Sequence, residues 1–343
     1  MKLDAGFGTE GGYLQSAGET ARAAESLGFA GLWSSETKHD AFLPLAIAAG
    51  ATERIDLGTS VAIAFSRSPM EVAQTAWDLQ DLSNGRFILG LGTQVRAHIR
   101  RRFSMPWDRP VARLREYVMA LRAIWDCFQT EGPLDFEGEF YRHTLMAPFF
   151  NPGPVEHPKI PIHIAGVNTG LATLAGEVCD GFHVHPFHSP EYVSQAVKPA
   201  IARGAEKERR DPESVELATS AFVVTGETSG GDVREQREKV RAQLAFYAST
   251  PTYRSVLETH GWEEVGERLG KLAREKKWSE MPDLVTDEML GAFAIEAAHD
   301  EIGPALEERY DGLIHRATLY LPFVPGEHDE FWRSAVESAR AGP

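Results

Sequence analysis

The feature that most constrains this chain is a junction repeated along it: a helical pattern, a glycine near its end, then a short apolar run. Glu25-Ser26-Leu27-Gly28-Phe29-Ala30-Gly31-Leu32-Trp33 has this form, as do Asn84-Gly85-Arg86-Phe87-Ile88-Leu89-Gly90, Asp180-Gly181-Phe182-His183-Val184 and Asp311-Gly312-Leu313-Ile314. Glycine ends a helix because the left-handed cap conformation costs it little. An apolar run with no alternation marks a parallel strand buried on both faces. The pattern predicts strands over 2–7, 29–35, 56–64, 87–92, 160–166, 181–185, 216–224 and 313–321, with a closing helix near 331–341. Eight alternating βα units predict a closed (β/α)8 TIM barrel; a doubly wound open sheet is the runner-up on pattern alone.

The helices carry their own start signals. Ser68-Pro69-Met70-Glu71 is a capping box with proline at the first helical position. Ser189-Pro190 and Thr250-Pro251 offer the same chemistry. Val111, Leu114, Val118, Leu121, Trp125 and Phe128 recur at helical spacing and predict one apolar stripe. Two stretches exceed a minimal barrel: an alternating hairpin near 134–143 and a mostly helical segment over 251–290. No low-complexity linker sets either apart, so residues 1–343 read as a single domain with two insertions.

With 343 residues and 43% hydrophobic content, the chain can bury a large core. Its net charge of −15 opposes general binding to nucleic acid or anionic membrane, which need a basic face. Cys127 and Cys179, the only cysteines, have no CxxC spacing, which excludes a disulfide scaffold and fits a reducing, cytoplasmic compartment. The opening Met1-Lys2-Leu3-Asp4 leads into no long apolar segment, so no signal peptide is expected, and no run of about 18 apolar residues occurs.

Most chemical motifs are missing. Gly90-Leu91-Gly92-Thr93 begins like a dinucleotide fingerprint but lacks its third glycine, and there is neither a Walker A lysine loop nor a GxSxG elbow. His183 and His185 share a strand face, with His163 and His188 near in sequence pattern, but no carboxylates complete a metal set. The favoured reading packs His183 against the helix layer and puts His185 at the mouth. Ser35, Glu36, Ser60, Thr93, Gln94, Asn168 and His185 all end strands, where a barrel builds its site. Gly90, Gly92 and Gly166 are expected to let a flat ligand approach the backbone. The basic run from Arg96 to Arg102 reads either as an anion clamp or as a solvated face.

Gly58-Thr59-Ser60-Val61, Arg67-Ser68-Pro69, Ala73-Gln74-Thr75, Leu82-Ser83-Asn84-Gly85-Arg86-Phe87, Gly90-Leu91-Gly92-Thr93 and Ala175-Gly176-Glu177-Val178-Cys179-Asp180-Gly181-Phe182 together form an ordered series. The series resembles the luciferase-like, coenzyme F420-dependent oxidoreductases over nearly the whole chain. The resemblance implies the eightfold barrel and a bound deazaflavin, favoured over FMN. It also implies a non-prolyl cis peptide at Ser60-Val61 behind the cofactor ring, and cofactor contacts at Gly92, Thr93, Gln94, Ala165, Gly166 and Val167. His185 and His188 fall where relatives hold the phosphate-bearing tail. Glu36 matches an acidic position after the second strand, and with His39 it is the candidate for proton transfer. The chain departs from the sugar-phosphate-oxidising relatives at Gln94-Val95, where they carry glycine and glutamate, and at Thr37, where they carry histidine. The implied activity is hydride transfer between deazaflavin and a small-molecule substrate. An FMN monooxygenase and a non-catalytic cofactor-binding protein are the alternatives.

The loop 94–110 and the insertion 251–290 both follow strands. They are expected to close the mouth with Trp107, Tyr253, His260, Trp262 and the arginines at 100–102. A homo-oligomer interface is the competing role for the insertion.

Overall fold

The computed structural model describes residues 1–8, 12–226 and 232–340. Its centre is a ring of eight parallel strands: β1 (Lys2–Gly6), β2 (Gly31–Ser34), β3 (Asp56–Thr59), β4 (Phe87–Gly92), β5 (Ile162–Gly166), β6 (Gly181–Val184), β7 (Glu216–Val224) and β8 (Arg316–Leu319). Each strand pairs with the next, and β8 returns to β1 through Lys2↔Arg316, Leu3↔Ala317 and Asp4↔Thr318. The ring is therefore the closed barrel that the junctions predict, and its helices cover the outside.

The junction chemistry operates as expected. Gly28 caps its helix at φ 93°, with its amide bonded to the Ala24 and Glu25 carbonyls, and the chain turns directly into β2. Ser68 accepts from the Glu71 amide at 3.2 Å and starts the helix Pro69–Leu82. Of the apolar stripe, Leu114, Val118, Leu121, Trp125 and Phe128 are buried along the helix Pro110–Thr130, while Val111 is exposed at its first turn. The last strand begins later than the sequence pattern suggests, because Gly312 (φ +66°) turns the chain and leaves Leu313 to His315 as its approach. A short hairpin pairs Phe136–Glu137 with Arg142–His143. One element has no counterpart in the sequence reading: Ala294–Glu296 adds a parallel strand beside Phe222–Val224 at the rim.

The barrel interior is polar at its N-terminal end. Arg316 is 1% exposed, and its Nε donates to Asp4 Oδ2 at 2.8 Å while Nη1 donates to Asp56 Oδ2 at 2.8 Å. Trp33 Nε1 donates to the same Asp4 oxygen at 2.8 Å, and the Arg316 guanidinium lies 5.2 Å from the Trp33 ring. Burial pushes the Asp4 carboxyl upward even with Arg316 beside it. Burial by itself would weaken the Arg316 cation, but Asp4, Glu216 and Asp56 outweigh that and hold it protonated.

His163 and His183 fill the next level, their rings 5.2 Å apart. His183 meets Trp33 edge-on at 5.0 Å. This corrects the placement of His183 against the helix layer. Gly181 pairs with Glu216 and His183 with Ala218, so the inward phase of the strand carries both histidine and the space that Gly181 leaves for His163. Among the described residues no group of histidines, cysteines and carboxylates could hold a metal ion. No helix of the described chain is long and apolar enough to cross a membrane.

Removing one partner of a buried, hydrogen-bonded ion pair strands the other. Arg316→Met should therefore lower unfolding free energy by about 3–5 kcal/mol, read from urea denaturation. The double variant Asp4→Leu/Arg316→Met should recover part of that loss.

Candidate active site at the barrel mouth

The C-terminal mouth is shaped by an irregularity between β3 and β4. Gly58 pairs with Ile88, and pairing resumes at Ala62 with Leu91, so β3 spends one residue more than its neighbour. That is a bulge, which re-aims the chain at a rim. The Thr59 hydroxyl spans the gap, donating to the Gly90 carbonyl at 2.7 Å and accepting from the Gly90 amide at 2.9 Å. The peptide between Ser60 and Val61 is cis.

Side chains behind the bulge hold it. Glu36, which follows β2, accepts the Ile63 amide at 2.7 Å and the Arg67 guanidinium at 2.7 and 2.9 Å. Arg67 also donates to Asp40 at 2.6 Å. Both oxygens of Glu36 are thus engaged, and its side chain is 6% exposed. That geometry makes Glu36 a clamp on the chain beyond the bulge. His39 is exposed and stacks on Tyr13, ring centroids 4.6 Å apart, and Tyr13 donates to the Asp40 carbonyl at 3.2 Å.

The glycines act differently from the expectation. A side chain on Gly90 would strike the Thr59 carbonyl, one on Gly92 would meet Val61 Cγ2 at 2.6 Å, and one on Gly166 would meet Leu171 at 2.8 Å. They make room for the bulge and its neighbours rather than for a ligand directly. Open space lies instead at Gly6, where β1 reaches the mouth and a Cβ would meet nothing within 4 Å.

Thr93 donates to the Gln94 carbonyl at 3.1 Å, and Gln94 (φ 57°) accepts the Val95 amide at 2.9 Å, so this turn is stabilised locally. Arg102, beyond the short helix Arg96–Arg101, donates to the Thr37 carbonyl at 2.7 Å and joins the loops after β4 and β2. Arg100 and Arg101 are exposed.

Ala165 and Gly166 are partly accessible at the end of β5, whereas Val167 is buried. The helix Thr169–Val178 starts just beyond, with Thr169 and Gly170 exposed and no side-chain cap from Asn168. Free amides at a helix start suit a phosphate. His185 sits beside them, its amide bonded to the Gly166 carbonyl at 3.4 Å. His185 Nδ1 accepts the Phe187 amide at 3.1 Å, which leaves Nε2 to carry the proton. Burial pushes this imidazole down to about 3, so it is a neutral donor and brings no charge to an anion. His188 is 1% exposed and bonded on both ring nitrogens, to the His185 carbonyl at 2.9 Å and to the Tyr310 hydroxyl at 3.0 Å. It has no surface left for a ligand and supports the loop from behind.

The insertion reaches the mouth through few residues. Tyr253 lies 4.6 Å from the His185 ring, and Ser255 bonds the Tyr192 hydroxyl at 3.1 Å and Asn168 at 3.4 Å. Trp262 stacks instead on His260 at 4.4 Å, and His260 bonds Ser189 at 2.7 Å. Those two brace the loop after β6 rather than covering the mouth. Trp107 packs edge-on against Phe65 at 5.7 Å, just past the bulge.

The chain belongs to the luciferase-like monooxygenase family, whose model matches residues 2–316. It is 43% identical over 340 residues to an uncharacterised protein of Mycobacterium tuberculosis, covering 99% of this chain and 98% of the other. A putative coenzyme F420-dependent oxidoreductase of the same organism is 29% identical over 307 residues, covering 84% and 85%. Among solved structures, the coenzyme F420 dependent tetrahydromethanopterin reductase of Methanopyrus kandleri superposes with a TM-score of 0.75 at 19% identity, covering 98% of each chain.

Two outcomes follow from these contacts. Glu36→Gln should lower stability by about 2 kcal/mol in thermal unfolding, since it weakens hydrogen bonds to a charged partner; a carboxylate held free for proton transfer would leave stability unchanged. His163, His183 and His188 are buried neutral, with burial holding them at about 3, well below the ordinary value, and at about 4 respectively. The unfolded chain takes up these protons near pH 6.5, so stability is full above that value and falls as pH drops toward 4. Each such histidine should remove about 2 kcal/mol between pH 7 and pH 5. Urea midpoints at the two values measure the fall, and His163→Asn should reduce it.

Proposed function

We propose that this protein is an oxidoreductase that binds a deazaflavin, coenzyme F420, in the barrel mouth and acts on a small organic molecule. The observation that carries the reading is the one-residue bulge at Ser60-Val61, clamped by Thr59, Glu36 and Arg67, with open space at Gly6 of β1 at the same mouth. A fixed, side-chain-poor surface of this kind suits one face of a flat ring. The chemistry of the donors fits the rest of such a cofactor: Thr169 and Gly170 offer amides to a phosphate beside Ala165 and Gly166, and His185 offers a neutral N–H. Val61, Gly92, Thr93 and Gln94 would border the ring from β3 and β4.

When bound, the deazaflavin would supply the carbon that gives or takes a hydride. The chain's part is to hold the ring, keep water off the reacting face with Trp107 and Tyr253, and provide the proton that balances the transfer. The Mycobacterium tuberculosis oxidoreductase and the Methanopyrus kandleri reductase support the deazaflavin. The family's description as monooxygenases favours a second reading, FMN with oxygen as co-substrate.

Titration of the purified protein with oxidised F420 and with FMN, followed by fluorescence, should give the tighter binding to F420. Reduced F420 on the protein should then be reoxidised without oxygen by a member of a ketone, enone and imine panel. Tighter FMN binding with substrate-dependent oxygen uptake would replace this reading with the monooxygenase. F420 binding with no reoxidation would leave a cofactor carrier.

A further inference from the structure

The wall of the mouth that faces the bulge carries aromatic rings with hydroxyls. In an eight-stranded ring, β3 and β4 stand opposite β7 and β8. Phe222 of β7, Tyr320 just past β8, Tyr247 of the helix Val233–Ala248, Tyr253 and His185 form one aromatic cluster there. Phe222 lies 4.5 Å from the Tyr320 ring, and His185 lies 4.8 Å from Tyr247 and 4.6 Å from Tyr253. Strand alternation sets Tyr320 on the inward side, in phase with Arg316 and Thr318. Its amide extends the ladder to the Ala221 carbonyl at 2.7 Å.

Tyr247 and Tyr320 share one hydrogen bond, hydroxyl to hydroxyl at 2.7 Å. Two hydroxyls joined by one bond have one O–H left over. Tyr247 is half-buried, whereas Tyr320 is 37% exposed and within reach of a ligand, so with Tyr247 donating to Tyr320 the spare O–H is presented at the mouth by Tyr320. Burial pushes the Tyr247 hydroxyl upward, so it stays protonated. Glu36, by contrast, is engaged by Arg67 and the Ile63 amide, and His39 stacks on Tyr13 at the surface.

We propose that Tyr320, backed by Tyr247, donates a hydrogen bond to the oxygen of an aromatic or conjugated carbonyl substrate held between the bulge and this aromatic wall. Its catalytic half rests on the deazaflavin reading above; its recognition half stands on the wall alone. In the reducing direction, the carbonyl carbon gains a hydride from reduced deazaflavin, the C=O π pair moves onto oxygen, and the Tyr320 proton passes to that oxygen. Tyr320 regains a proton from solvent, and the products are the alcohol and oxidised deazaflavin. Apolar rings around one hydroxyl select for such a substrate because a ligand without the oxygen leaves a desolvated donor unpaired.

The recognition half is tested on cofactor-free protein with acetophenone and α-methylstyrene, which has a CH2 in place of the oxygen. Ligand-observed NMR titration should show wild type preferring acetophenone by roughly 10-fold, and Tyr320→Phe losing that preference while binding α-methylstyrene as before. Equal preference in the two proteins overturns the proposal. On F420-loaded protein, Tyr320→Phe should slow anaerobic reoxidation by acetophenone by about 10²-fold or more at unchanged F420 affinity. An unchanged rate overturns the proton-donor role. Loss of the acetophenone preference in Tyr320→Phe, in a protein that binds no F420, supports the recognition half and rejects the deazaflavin reading. Tyr247→Phe, which leaves Tyr320 in place, should weaken the preference by a few-fold and serves if Tyr320→Phe misfolds; no change in it then overturns the pair.

Discussion

The structure depends first on the ion pair between Arg316 and Asp4. These residues sit on the last and first strands, 312 positions apart, and their contact is where the sheet closes on itself. The same guanidinium reaches Asp56 on β3, and Asp4 also accepts Trp33 from β2. Glu216 on β7 lies 3.6 Å from the guanidinium, so five of the eight strands meet at one cation. Desolvating these charges is costly, and the hydrogen bonds to Asp4 and Asp56 offset that cost only in the closed geometry. A misregistered ring would leave a buried arginine without partners, so the pair fixes register more than it adds net stability.

From that floor the interior is built upward. The Trp33 ring fills the space over Gly58, His163 fills the space left by Gly181, and His183 rests on both aromatic neighbours. A packed interior leaves the C-terminal end as the open face, which is where barrels of this type carry their sites. The bulge repeats the logic of the floor. Where backbone pairing between β3 and β4 fails, Thr59 replaces it, and Glu36 with Arg67 fastens the chain that continues. The two walls of the mouth differ as a result: one is glycine-lined backbone, the other a group of aromatic rings with hydroxyls.

Much of this was legible in the residues. The helix–glycine–strand junction gave the eight strands because left-handed caps and two-sided burial each leave a local mark. The resemblance pointed to Ser60-Val61 through its cis peptide, but the bulge was not legible in the residues themselves, since an extra residue in one strand has no signature apart from its partner strand. His183 was misplaced because a four-residue strand with both faces buried gives no phase by hydropathy. Gly90 and Gly92 were expected to open the backbone to a flat ligand, but what takes that space is Thr59 and Val61, residues about thirty positions earlier in the chain. Tyr320 and Tyr247 were not singled out, because their significance is a hydroxyl contact across 73 positions.

The sequence by itself determined the barrel, its strand order and the end at which a site must lie. Those follow from local propensity, burial period and the handedness of parallel crossovers. Only the tertiary structure decided which polar groups remain free. Glu36, His39 and His188 were candidates as titratable residues at or near strand ends. Long-range contacts then tied Glu36 to Arg67 and His188 to Tyr310, and stacked His39 on Tyr13. A side chain's chemistry is written in the sequence, but its availability is set by partners that only folding brings within reach.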